Sequence, residues 1–159
     1  MIGKDIRQLG SGNVGARNAG RLLGRKGFVY TALIDVAKTM IALYTTTLLF
    51  PQQDMMLLVS AFFLLLGHNW PLFLGFKGGK GVAVFLAFTL FVVPQAIVVL
   101  GISVAILYLL IRNFTIAGLI SMATIPITAW ALEENTFAIG LFCLLIVVVL
   151  SHLKGNRTN

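Results

Sequence analysis

The chain has 159 residues, of which 58% are hydrophobic and 11% charged. A soluble domain of this length needs far more polar surface, so this composition excludes one and points to an integral membrane protein. The formal net charge of +7 would suggest nucleic acid in a soluble chain, but in an apolar one it is first a topology signal, and no nucleic-acid partner is expected.

Residues 1–27 are polar and contain no apolar core, so no cleavable signal peptide is expected. The segment includes LGSGNVGARNAG, residues 9–20. An apolar run over 28–50 follows and carries Asp35 and Lys38, three residues apart and so on one face of a helix. PQQD at 51–54 marks a turn, 55–67 is a shorter apolar run, and GHNWPLFLGFKGGKG occupies 67–81. Further apolar runs cover 82–94, 95–111, 114–132 and 136–151, with Pro94 and LEEN at 132–135 as breaks. These six runs predict an all-α fold, a polytopic transmembrane helix bundle of about six spans, forming one domain over 1–159. Cys143 lies in an apolar run and reads as a small buried hydrophobe.

Threading six spans in order separates the charges. The segments 1–27, 68–81, 112–113 and 152–159 hold Lys4, Arg7, Arg17, Arg21, Arg25, Lys26, Lys77, Lys80, Arg112, Lys154 and Arg157. The opposite turns hold no basic residue, only Asp54, Glu133 and Glu134. Basic loops remain inside, which predicts that both glycine-rich segments and both chain ends are cytoplasmic.

The two glycine-rich stretches pose a chemical question, because topology requires charge but not glycine. Gly10, Gly12 and Gly15 match G-x-G-x-x-G, yet no strand precedes them and a membrane helix follows, which argues against a dinucleotide fold. FKGGKG fails the P-loop pattern, since Lys80 is followed by Gly81 rather than Ser or Thr. What remains is general anion chemistry: glycines permit close backbone approach, a following helix offers its positive end, and Ser11 and Asn13 add donors. Arg17 and Arg21 share a helical face, while Lys77 and Lys80 flank Gly78 and Gly79. His68 and His152 stand at the cytoplasmic edge as polar anchors or general bases. Trp70, Leu72, Phe73 and Leu74 beside polar residues suggest that the loop reaches membrane depth, where it would meet a substrate with a fatty tail and a phosphate head. No cluster has metal-ligand spacing, and no cofactor is expected.

The order of these motifs resembles the bacterial acyl-phosphate:glycerol-3-phosphate acyltransferases, the PlsY family. Ser11 to Arg21 is similar to S-G-N-x-G-A-x-N-x-x-R, and Gly67 to Gly81 is similar to G-H-x-x-P-x-F-x-x-F-K-G-G-K-G. The resemblance implies transfer of a fatty acyl group from acyl phosphate to the sn-1 hydroxyl of glycerol 3-phosphate, giving lysophosphatidic acid and phosphate in the bacterial cell membrane. An acyl-phosphate-producing enzyme is the expected partner. The resemblance carries over Ser11, Asn13, Arg21 and Lys80 as polar site residues, with Gly12, Gly15, Gly78, Gly79 and Gly81 shaping phosphate cradles. The expected catalytic set is Ser11, Arg21, Lys80, His152 and Asn156, with His152 or the substrate phosphate itself taking the hydroxyl proton; Gly12, Asn13, Gly15, Asn18, His68, Lys77, Gly78, Gly79 and Gly81 are expected to contact substrate or phosphate. The family's third motif resembles H-R-x-N-I; here SHLKGNRTN aligns His152 and places Asn156 one position late, or aligns Arg157 and Asn159 without the histidine. The family has seven spans, the first preceding the first motif, so this chain is expected to be truncated at both ends. Arg17 stands where the family more often has a small polar residue. An organic-phosphate transporter and a non-catalytic partner of lipid enzymes are the other readings.

Overall fold

The computed structural model describes residues 5–155, and it is helical throughout, with no strand among the described residues. A single 3-10 turn, Ile6–Gln8, leads into α1 (Ala16–Leu49); α2 (Asp54–Asn69), a second 3-10 turn (Leu72–Leu74), α3 (Val82–Val92), α4 (Pro94–Ile111), α5 (Phe114–Ser121), α6 (Thr124–Ala131) and α7 (Asn135–Gly155) follow. Five segments are long and apolar enough to cross a membrane: α1, α2 with its 3-10 turn, α4, the α5–α6 pair and α7.

The structure corrects the predicted set of six spans at three places. The apolar run at 82–94 forms a helix of only 11 residues, rising about 16 Å, too short for a hydrocarbon core of about 30 Å. It is apolar because it lies at the centre, packed against α1, α2, α4 and α7, with Val84, Phe85, Ala87 and Phe88 buried. The run at 114–132 divides at Met122–Ala123. Pro126 has no N–H to return to Met122, and the Met122 carbonyl accepts from Ile125 N–H at 3.2 Å instead. Finally, α1 begins twelve residues before the apolar run and turns at Gly24, whose φ of 71° and ψ of −166° are accessible only to glycine.

Outside and inside are distributed as a bilayer requires. Leu33, Ile34, Ile102, Ile106, Leu109 and Leu110 are exposed, whereas Thr39, Thr89 and Ser121 are buried. The Thr39 and Thr89 hydroxyls bond within their own helices, to Asp35 O and Phe85 O, and Ser121 pairs with Ser103 of α4, as an environment without water demands. Thr46 donates to Ala42 O and accepts from the Ser60 hydroxyl, joining α1 to α2 near their shared turn. Cys143 is exposed rather than buried, beside Leu58, Phe62 and Phe63 in an apolar groove. An apolar lipid face and an apolar core are indistinguishable by composition on a helix such as α7.

α3 and α4 share the turn at Val93. Along its axis α4 rises about 27 Å, about 10 Å more than α3.

Candidate active site

The first glycine loop is built around one buried side chain. Asn18, on the first turn of α1, is 1% exposed. Its Oδ1 accepts from Ser11 N–H at 3.0 Å, and its Nδ2 donates to the carbonyls of Leu9 at 3.0 Å and Ile6 at 3.5 Å. The Asn18 amide is thus consumed within the loop, so it shapes the site instead of facing a ligand. Asn13 Oδ1 accepts from Gly15 N–H at 3.3 Å, while Ser11 is exposed at the loop tip. Gly12 has a φ of 68°.

Ahead of this loop, Asp5 accepts from Arg7 N–H and ion-pairs with its guanidinium at 2.6 Å. The Arg7 hydrogen bond holds the Asp5 carboxyl below its ordinary range. Arg7 Nη1 also donates to the Leu74 carbonyl at 2.8 Å, fastening the N-terminal segment to the second loop.

The second loop packs against the end of α2 with no room for side chains. Gly79 N–H donates to His68 O at 3.0 Å, and Gly78 N–H to Asn69 O at 3.2 Å. A Cβ on Gly78 would meet the His68 carbonyl and the Pro71 ring; one on Gly79 would meet the His68 imidazole. These two amides are therefore used within the protein, so their N–H groups are not free to face an anion. Gly81, with a φ of 78°, starts α3 against Leu65 and Asn69. Asn69 Nδ2 donates to Ser151 Oγ at 2.8 Å, linking α2 to the residue before His152.

The two loops meet. A Cβ built on Gly15 would lie 3.9 Å from Gly79 Cα. Around this seam stand Arg17, Arg21 and Lys80, with no carboxylate paired to any of them among the described residues. Burial first, and then the nearby charges of Arg17 and Arg21, push the Lys80 ammonium below its ordinary value. His152 lies near Lys80 and Arg17. Its Nδ1 is 3.1 Å from the Val148 carbonyl, which can only accept, so the proton sits on Nδ1 and Nε2 is left with a lone pair. Arg17 also reaches Thr115 at the start of α5.

Lys77 is not part of this group. It is exposed and lines a cavity of about 350 Å³ with Asp5, Arg7, Gln8, Leu74 and Gly75. Asn156 and the alternative register through Arg157 and Asn159 lie outside the described residues. Sequence reasoning left out Arg17, Asn69 and Ser151 as site residues. Only Arg17 carried a signal, its four-residue spacing from Arg21.

An apolar multi-helix bundle with five membrane-length segments and a group of basic side chains unpaired by carboxylates defines an integral membrane protein. The family model described as glycerol-3-phosphate acyltransferase matches residues 1–158. The chain is 32% identical to glycerol-3-phosphate acyltransferase 1 of Dehalococcoides mccartyi, over all of this chain and 79% of the relative. It is 37% identical to glycerol-3-phosphate acyltransferase 1 of Desulfitobacterium hafniense, over 97% of this chain and 76% of the relative. Among solved structures it is similar to PlsY (YgiH), an integral membrane glycerol 3-phosphate acyltransferase. The glycerol 3-phosphate form gives a TM-score of 0.85 at 27% identity, over 98% of this chain and 78% of that one. The lysophosphatidic acid form gives 0.82 at 26% identity, over 92% and 76%. The chain belongs to the glycerol-3-phosphate acyltransferase family.

Proposed function

We propose that this protein transfers a fatty acyl group from acyl phosphate to the sn-1 hydroxyl of glycerol 3-phosphate, releasing lysophosphatidic acid and inorganic phosphate. The observation that carries this reading is the cation cluster of Arg17, Arg21 and Lys80, unmatched by carboxylates, where the two glycine loops adjoin. The similarity to a PlsY solved with glycerol 3-phosphate and with lysophosphatidic acid supports it.

Acyl phosphate is a mixed anhydride, so no covalent enzyme intermediate is required. The glycerol hydroxyl oxygen attacks the acyl carbon, the bond from that carbon to the phosphate oxygen breaks, and phosphate leaves with the electron pair. Lys80 and Arg21 stabilise the charge that gathers on the departing phosphate, and holding both substrates together removes much of the entropic barrier. Ser11 and Asn13 orient substrate, and the bare His152 Nε2 receives the hydroxyl proton. The site faces the cytoplasm of a bacterial cell membrane, with both chain ends on that side; the second glycine loop and α3 together complete the passage between α2 and α4 that makes the number of crossings even, and an acyl-phosphate-producing enzyme supplies the donor.

The test is incubation of the purified protein in lipid with palmitoyl phosphate and glycerol 3-phosphate. Lysophosphatidic acid and inorganic phosphate are expected in equal amounts, with no product from palmitoyl-CoA. Product from palmitoyl-CoA alone would overturn the donor assignment. Entry of labelled glycerol 3-phosphate into sealed vesicles without acylation would indicate transport instead.

A further inference from the structure

His68, one residue before the end of α2, is held from one side by α1. Its Nδ1 is 2.7 Å from Lys38 Nζ and 3.3 Å from Asp35 Oδ1, and Lys38 Nζ is 2.6 Å from the same Asp35 oxygen. Its other face points into the seam, since Nε2 occupies the place where a Cβ of Gly79 would stand, and Gly79 in turn borders Gly15.

The proton positions follow from the chemistry of the partners. An ammonium has three protons and no lone pair. Lys38 therefore donates to Asp35 Oδ1 and to His68 Nδ1, which makes Nδ1 an acceptor and leaves the imidazole neutral with its proton on Nε2. A charged ring would add a second cation beside the ammonium with one buried carboxylate to balance both, at a depth where unpaired charge is costly. As assembled, the three groups carry no net charge. His152 is held in the opposite tautomer by Val148 O.

We infer that Asp35 and Lys38 are positioning residues that fix His68 as a neutral Nε2–H donor to a phosphoryl oxygen held between the two glycine loops. This rests on the acyl-phosphate reading above. The two histidines then divide the work, His68 donating to bound phosphate and His152 accepting the hydroxyl proton.

The chain has only two histidines, so ¹⁵N-histidine labelling in lipid nanodiscs reads both directly. The resonance lost in His68→Gln assigns His68. In the parent protein, His68 is expected protonated on Nε2 and His152 on Nδ1. Inorganic phosphate should shift the His68 Nε2 resonance. Lys38→Met should release the tautomer, abolish the phosphate shift and lower kcat about 10- to 100-fold, as loss of an orienting partner does elsewhere, with KM for glycerol 3-phosphate unchanged. Lys38→Arg, which keeps a donor, should retain the Nε2–H form and most of the activity. A parent His68 protonated on Nδ1 or on both nitrogens at neutral pH would overturn the inference. So would a His68 spectrum that neither saturating phosphate nor Lys38→Met alters. A released tautomer and a lost phosphate shift, in a protein whose parent forms no lysophosphatidic acid, would refute the acyl-transfer function while upholding the triad.

Discussion

The imidazole of His68 fills the space that a side chain on Gly79 would need, and the His68 carbonyl accepts the Gly79 amide proton at 3.0 Å. Position 79 is thereby confined to glycine by close approach, not by backbone angle. Gly79→Ala should displace the loop that carries Lys80 and abolish acyl transfer. Adding His68→Ala should restore protection of residues 76–81 against hydrogen exchange without restoring turnover. Gly101→Ala is the control, because nothing beyond its own stretch of helix lies within 4 Å of its Cβ position, and it should leave activity intact and stabilise by up to about 1 kcal/mol. Normal exchange and turnover in Gly79→Ala would contradict the packing.

Lys80 is the cation on the second loop itself. Lys80→Ala should lower kcat by about 10² to 10³, or about 3 to 4 kcal/mol of transition-state stabilisation, by comparison with loss of one oxyanion donor. Helix content by circular dichroism should be unchanged. Phosphate release from palmitoyl phosphate measures the effect.

The same lysine sets a pH limit. Burial, then Arg17 and Arg21, place its titration below the ordinary 10.5. If its charged form is the active one, the alkaline limb of kcat lies below pH 10.5, and Arg17→Gln should move that limb upward. The sign for stability is opposite in sense. Between the folded value and 10.5 the unfolded chain binds more protons, so this group makes stability rise with pH across that window. A limb unmoved by Arg17→Gln would detach Arg17 from the cluster.

Asn18 should behave as a loop residue. Asn18→Ala leaves Ser11 N–H without its acceptor and removes one of the two donors to Leu9 O, at about 1 to 3 kcal/mol of local stability. Hydrogen exchange should accelerate at residues 9–15 and remain unchanged in α4 to α7.

Sidedness can be read with a membrane-impermeant thiol reagent in right-side-out vesicles of a Cys143→Ser protein. Cysteines replacing Gln8 or Lys77 should be labelled only after permeabilisation, and those replacing Gln53 or Glu134 before it. Labelling of Gln8 and Lys77 positions from opposite sides would refute the shared cytoplasmic face.

The sequence disclosed what local spacing controls. Asp35 and Lys38, three apart on an apolar helix, share one face, and they pair at 2.6 Å. His68, thirty residues further on, has no local relation to them, so its place as third member appeared only with the packing of α2 on α1. Apolarity marked α3 as a helix but not as an internal one, because a core helix and a lipid-facing helix carry the same residues. The glycine pair at 78 and 79 signalled a close approach; that the approach is to His68 and Asn69 rather than to a ligand depends on tertiary structure.

Arg17 meets Thr115, and Asn69 meets Ser151, across most of the length of the chain. During synthesis the first motif would enter the bilayer long before either partner is translated. A nascent chain ending after α4 holds both glycine loops yet lacks Thr115, Ser151 and His152. On the function proposed above, competence therefore arrives only with the last helix.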